Sequence, residues 1–281
     1  MSTVNFEVTF WGVRGSLPVP GVDTIKYGGN TPCVQIQIGD RLFIMDAGTG
    51  IYNLGQHLVK QGGHICGDIF ITHTHWDHIQ GFPFFAPAFI PGNSFTLYGL
   101  RSVNLSFRDL IKGQMMYDYF PVSLDEMGSN IYFHELTIGE SIQMGDGIVL
   151  SSFLNHHPGG CLAYRLDHDG RSCCYMTDSE HTNKIELDLL NFIAGADLLI
   201  YDTHFTDKEY AGYEGFPSVA GQGHSTWQEG IKLVKACGAK KLVLFHHATF
   251  RSDNEIEAIE CEAQEQYPNL VAAREGMLIC L

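Results

Sequence analysis

Residues 68–78 read Asp68-Ile-Phe-Ile-Thr-His73-Thr-His75-Trp-Asp77-His78. The apolar run DIFIT has the length and composition of a buried strand. His73 and His75 stand two apart in the extended segment that leaves it, so both imidazoles project to the same side. Asp77 and His78 fall where a helix is expected to begin. The change of chain direction there lets their side chains point to a second position nearby. Imidazoles with a hard carboxylate suit Zn²⁺, Mn²⁺ or Fe²⁺. In a chain with 14 histidines, H-x-H-x-D-H arises by chance in roughly 0.2% of sequences, which favours a metal site over coincidence.

Four ligands do not complete two sites, so more His or Asp is expected at later strand ends. His156-His157 closes GIVLSSFLN, Asp178 closes CCYMT, and His246-His247 closes KLVLF. The segments DIFITHTH, ADLLIYDTH and KLVLFHH form a loose internal echo, each a buried-type strand ending in histidine. Ligands at the C-terminal ends of strands are placed as α/β architectures place their sites.

The order HTHWDH, NHHPGGCLAYRL, YMTDSE, GHSTW and LVLFHH resembles the motif order of the metallo-β-lactamase superfamily, in particular its ribonuclease Z and phosphodiesterase-like branch, over about residues 30 to 250. The resemblance implies an α/β fold, the four-layer αββα sandwich of the metallo-β-lactamase fold. It also implies a metal set of His73, His75, Asp77, His78, His157, Asp178 and His246. In that match His157 rather than His156 completes the first metal, Asp178 bridges both ions, and His246 rather than His247 serves the second. Asp46, in the turn DAGTG, resembles a residue that supports the ligand loop; an aspartate bonding its own turn is the alternative.

Two divalent ions imply hydrolysis through a metal-bridging hydroxide. Two features favour a phosphodiester. Lactamases of this fold commonly carry Cys or Ser where Asp178 stands. Gly223-His224-Ser225-Thr226 resembles the ribonuclease Z element whose histidine protonates the leaving alkoxide, although a helix cap with an incidental histidine is the alternative. Asp77 is expected both to ligate and to act on the bridging water. The substrate expected is a small phosphodiester such as a cyclic nucleotide. The alternatives are a ribonuclease Z-type endoribonuclease, a thioesterase or lactamase-type hydrolase, and a non-catalytic metal-dependent sensor.

Bulk properties narrow the choice. The net charge of −15 opposes polyphosphates at long range. The span between Asp178 and His246 leaves no room for an inserted tRNA-gripping arm, so folded tRNA is disfavoured. The hydrophobic fraction of 44% and charged fraction of 17% are those of a globular chain. With no linker visible, one hydrolase domain over 1–281 is expected. Eight cysteines without a C-x-x-C pair read as reduced. MSTVNFEVTF lacks the features of a secretory leader and GFPFFAPAFIPG is too short to span a bilayer, so a cytoplasmic protein without membrane partners is expected. Glycines at 48, 50 and 55 do not make a dinucleotide fingerprint, because position 53 is Asn. The aromatic run Phe82, Phe84, Phe85 and Phe89 reads as core, with a base-binding wall or a homodimer contact as alternatives. Tyr117, Tyr119 and Phe120 are read as a lip over the cleft.

Overall fold

A computed structural model describes residues 4–281, which divide into two compact units. The first comprises residues up to 18, then 28–137 and 274–280. Its strands are β1 (Phe6–Gly12), β2 (Cys33–Ile38) and β3 (Arg41–Met45). Helix α1 (Gly50–Gln61) follows, then β4 (Cys66–Phe70), α2 (Trp76–Ile79), β5 (Ser94–Gly99), α3 (Phe107–Gly113) and β6 (Asn130–Glu135). Gly39 takes a left-handed backbone in the β2–β3 hairpin, the conformation its lack of a side chain permits. Ile51, Leu54 and Leu58 recur on one face of α1 and are buried. Each contributes about 1.5–3 kcal/mol of hydrophobic stabilisation. They pack in one core with Ile44, Ile69, Phe82, Phe85, Phe95 and Leu97.

The second unit contains β7 (Ser141–Gly145), β8 (Ile148–Asn155), β9 (Cys161–His168) and β10 (Arg171–Met176). It continues with α4 (Leu187–Ile193), β11 (Leu198–Asp202), α5 (Asp207–Ala211), α6 (Trp227–Cys237), β12 (Lys241–Phe245), α7 (Asp253–Gln266) and β13 (Leu270–Ala272). Thr226 caps α6 by accepting from the Glu229 N–H, and left-handed Gly238 ends it. Its own core joins Leu199, Tyr201, Leu242 and Leu244 to Trp227, Ile231, Val234 and Ile256. The last strand, β14 (Leu278–Cys280), pairs with β1 of the first unit.

Each unit thus holds one seven-stranded sheet, ordered β14-β1-β2-β3-β4-β5-β6 and β13-β12-β11-β10-β9-β8-β7. Both sheets are mixed. In the first, β14 to β3 pair antiparallel and β3 to β6 pair parallel. In the second, β7 to β10 pair antiparallel and β10 to β13 parallel. It follows that β3 and β4 run in one direction in their sheet, and β8, β10, β11 and β12 share one direction in theirs. The C-terminal ends within each set lie at one sheet edge, where α/β folds assemble sites. Among the described residues, no helix is long and apolar enough to cross a membrane.

Candidate metal centre

In the first unit the chain leaves β4 and is fastened by Asp46, which follows β3. The Asp46 carboxylate, fully buried, accepts from the Thr72 N–H at 2.8 Å, the Thr72 hydroxyl at 3.0 Å and His78 Nδ1 at 2.8 Å. A carboxylate bond to Nδ1 sets the tautomer of His78 and presents Nε2. That Nε2 lies 3.2 Å from Asp77 Oδ2, an oxygen that accepts from the Ser16 N–H at 2.7 Å. His73 Nε2 and His75 Nδ1 face each other at 2.8 Å, and Thr72 Oγ1 lies 3.1 Å from His73 Nδ1. His73, His75, Asp77 and His78 are therefore brought together as two pairs. The turn after β3 packs directly on this segment: a Cβ on Gly48 would stand 2.2 Å from the Asp77 carbonyl oxygen, so only glycine fits there.

In the second unit His157, Asp178 and His246 follow β8, β10 and β12. His157 Nδ1 donates to the Gly223 carbonyl at 2.9 Å, which leaves its Nε2 3.6 Å from Asp178 Oδ2. The other carboxylate oxygen, Oδ1, accepts from the Thr177 hydroxyl at 2.7 Å and lies 3.2 Å from His246 Nε2. Asp178 thus stands between two imidazoles, one at each oxygen. His156 turns outward to Glu186 at 2.7 Å, and His247 Nε2 donates to the Ala273 carbonyl at 2.9 Å. Asp178 and His246 have left-handed backbones with φ of 48° and 61°, as does Asp46 at 60°. Such conformations cost non-glycine residues about 1–3 kcal/mol and gather at functional sites.

His224 pairs through Nδ1 with Oδ2 of the fully buried Asp202 at 2.8 Å. Asp202 also accepts from the Ser179 and His204 N–H groups. The rings of His204 and His224 stack at 4.6 Å, and those of His224 and His246 at 5.0 Å. Burial pushes the His204 imidazole well below its usual range, and the neighbouring His224 and His246 add to that effect. The loop carrying His224 is held by Glu180, which accepts from the Gly221 and Gly223 N–H groups and from the Tyr210 hydroxyl. Burial raises the Glu180 carboxyl, but these hydrogen bonds outweigh it and hold the group below the usual glutamate range.

The donor sets fit divalent cations. Nitrogen and oxygen ligands of a tetrahedral ion at about 2.0–2.1 Å lie roughly 3.3 Å apart, and the separations of 2.8 and 3.2 Å in the first unit and of 3.2 and 3.6 Å in the second bracket that value. In the second unit, ligand-type atoms of Asp178, Asp202, His224 and His246 all lie within 4.8 Å of one another. The sequence reading missed Asp202, His204, Glu180 and Ser16 as parts of the site. ADLLIYDTH carried a signal for the first two, as a buried strand ending in Asp and His. Nothing in the sequence pairs Glu180 or Ser16 with their partners.

Two seven-stranded mixed sheets with helices and these His and Asp clusters define a protein of the metallo-β-lactamase fold. The family described as Beta-lactamase superfamily domain matches residues 41–247, and the chain belongs to that family. It is 24% identical to a ribonuclease Z of Archaeoglobus fulgidus, over 97% of this chain and 96% of that protein. Among solved structures, the metallo-beta-lactamase fold protein YhfI from Bacillus subtilis superposes with a TM-score of 0.72 at 17% identity, covering 99% of this chain and 100% of that one. A new diphosphatase from the PhnP family gives 0.69 at 18%, covering 99% and 97%. The α/β class and the fold expected from the motifs are those observed, and the chain is a hydrolase of this fold.

Proposed function

We propose that the chain is a two-metal phosphodiesterase acting on small phosphodiesters such as cyclic nucleotides, as one hydrolase domain over residues 1–281. One observation carries the reading: His224, fixed by the buried carboxylate of Asp202, stacks on His246 in the unit where Asp178 stands between His157 and His246. The residues that would hold the two divalent ions are His73, His75, Asp77 and His78 of the first unit and His157, Asp178 and His246 of the second. Zn²⁺ is the first expectation for both, with Mn²⁺ or Fe²⁺ as substitutes. When bound, such ions acidify water and stabilise charge on phosphoryl oxygens.

The chain's own residues supply orientation and proton transfer. Asp46 and Thr72 fix the ring planes of His73 and His78. Asp77, steadied by the Ser16 N–H, orients the attacking water besides ligating. His224 is held through Nδ1 by Asp202; in its imidazolium form the second proton, on Nε2, is the one delivered to the departing alkoxide, which leaves a neutral ring with its proton on Nδ1.

A second reading, an endoribonuclease acting on precursor tRNA, is favoured by the near full-length similarity to a protein named ribonuclease Z. The net charge of −15 weighs against it. Purified protein loaded with Zn²⁺ or Mn²⁺ is to be assayed on bis(p-nitrophenyl) phosphate, cyclic nucleotides, precursor tRNA, a thioester and a lactam. Hydrolysis of the first two supports the proposal. Cleavage of precursor tRNA alone transfers the case to the second reading, and cleavage of only the thioester or lactam overturns both.

A further inference from the structure

In the first unit, the segment bearing the His and Asp cluster also lines a cavity of about 510 Å³. Thr74 and Trp76 alternate along the chain with His73, His75 and Asp77, and both face this cavity, as do Gln80 beyond α2, Phe84, Gln114 after α3, and Tyr119. The volume is that of a small-molecule site. Three of its four aromatic side chains are not spent on the core: Trp76 is 81% exposed, Tyr119 78% and Phe84 56%, whereas Phe120 packs against the core and Phe82 and Phe85 nearby are buried. No lining residue is charged, so the occupant is a neutral group rather than a phosphate. One polar feature is specific. The Gln114 side chain is half-buried and lines the cavity, and its Nε2 donor has neither a hydrogen-bond partner nor exposed surface in this rotamer, so a turn of the amide toward the cavity would give that donor an acceptor there.

We propose that this cavity is a nucleobase subsite, in which Trp76, Phe84 and Tyr119 stack on the base and Gln114 Nε2 donates to a ring nitrogen or carbonyl oxygen at its edge. A nucleobase is planar, neutral and edged with acceptors, which a hydrocarbon or a sugar is not, and every base offers a face to aromatic stacking. Thr74 and Trp76 belong to the segment that also carries His73, His75 and Asp77, so the base would be gripped by the loop that bears the ligand-type residues. The inference deepens the phosphodiesterase reading and rests on it for its kinetic arm.

Two measurements on the metal-loaded, full-length protein test the subsite. The first is intrinsic fluorescence during titration with adenosine, which carries no phosphate. Trp227 is buried and Trp11 partly so, and Trp76 is the exposed reporter. Saturable quenching is expected, absent in Trp76→Phe and shifted to about tenfold or higher adenosine concentration in Tyr119→Ala and Gln114→Leu. The second is the ratio of kcat/KM for 3′,5′-cyclic nucleotides to that for abasic ribose 3′,5′-cyclic phosphate, run in parallel with a dinucleoside monophosphate. Phe84→Ala and Tyr119→Ala, both truncations of exposed side chains, should lower the ratio by about tenfold or more. The nucleotide class that loses more identifies which one presents its base here. Absence of saturable quenching, or ratios unchanged in the variants, overturns the subsite while leaving the hydrolytic reading intact. Tyr119-dependent quenching without turnover of any phosphodiester would retain the subsite and overturn the hydrolytic reading instead.

Discussion

Asp46 shows how one residue can order several others. Its carboxylate holds the Thr72 N–H, the Thr72 hydroxyl and His78 Nδ1 at once, so its loss frees the rings of both His73 and His78. Asp46→Asn is expected to lower metal affinity by about 10- to 100-fold, read by competition with a chromogenic chelator; unchanged affinity would show that the ligands orient themselves. His224 is tested through the leaving group. His224→Ala should reduce turnover of cyclic nucleotides by about 10²- to 10⁴-fold but that of bis(p-nitrophenyl) phosphate far less, because p-nitrophenolate departs without a proton. Equal losses on both substrates would remove the proton-donor role. The motif order pointed to both residues, but not to what holds them. Asp202 lies 22 positions from His224, and such a pairing exists only once β11 and the loop before α6 are folded.

The strands and helices that were readable in the sequence are those with a strong local pattern. The Gly39-Asp40 and Asp169-Gly170 turns mark hairpins, the apolar spacing of Ile51, Leu54 and Leu58 marks α1, and Ser225-Thr226 and Gly238 bracket α6. Residues 94–135, which form β5, α3 and β6, are less legible. Their patterns are short or shallow for physical reasons: α3 has seven residues, and β6, at the sheet edge, alternates only between exposed and half-buried positions over Asn130 to Phe133 and buries none of its residues fully. The cap of α7 offers a direct test of local reasoning. Ser252 Oγ accepts from the Glu255 N–H, while the Glu255 carboxylate accepts from the Ser252 N–H and hydroxyl. Those bonds to the Ser252 backbone and side chain hold the Glu255 carboxyl below the usual glutamate range. A lowered carboxyl stabilises the fold above its unfolded value, and that stabilisation is lost as pH falls through the folded one. Ser252→Ala is expected to cost about 1 kcal/mol at about pH 7, with the difference from wild type shrinking by about pH 3, in denaturant titrations. A difference that does not depend on pH would leave the backbone cap alone responsible.

Across the chain, each unit has its own sheet and its own core, and thiols report on both. Cys33 belongs to the first core and Cys174 to the second. Burial raises the Cys33 and Cys173 thiols well above their usual range and pushes Cys174 up to about 12. The native protein should therefore react rapidly with a thiol reagent at the exposed Cys66, Cys261 and Cys280, and slowly at Cys33, Cys161, Cys173 and Cys174 until denatured. Fast labelling of Cys33 or Cys174 would show that the corresponding core opens in solution. The most direct test of the proposed chemistry is the metal content of the folded, full-length protein by inductively coupled plasma mass spectrometry. About two divalent ions per chain are expected, falling in Asp178→Ala. A folded chain that retains none after equilibration with Zn²⁺, Mn²⁺ or Fe²⁺ would contradict the two-metal hydrolase and favour a metal-free binding role.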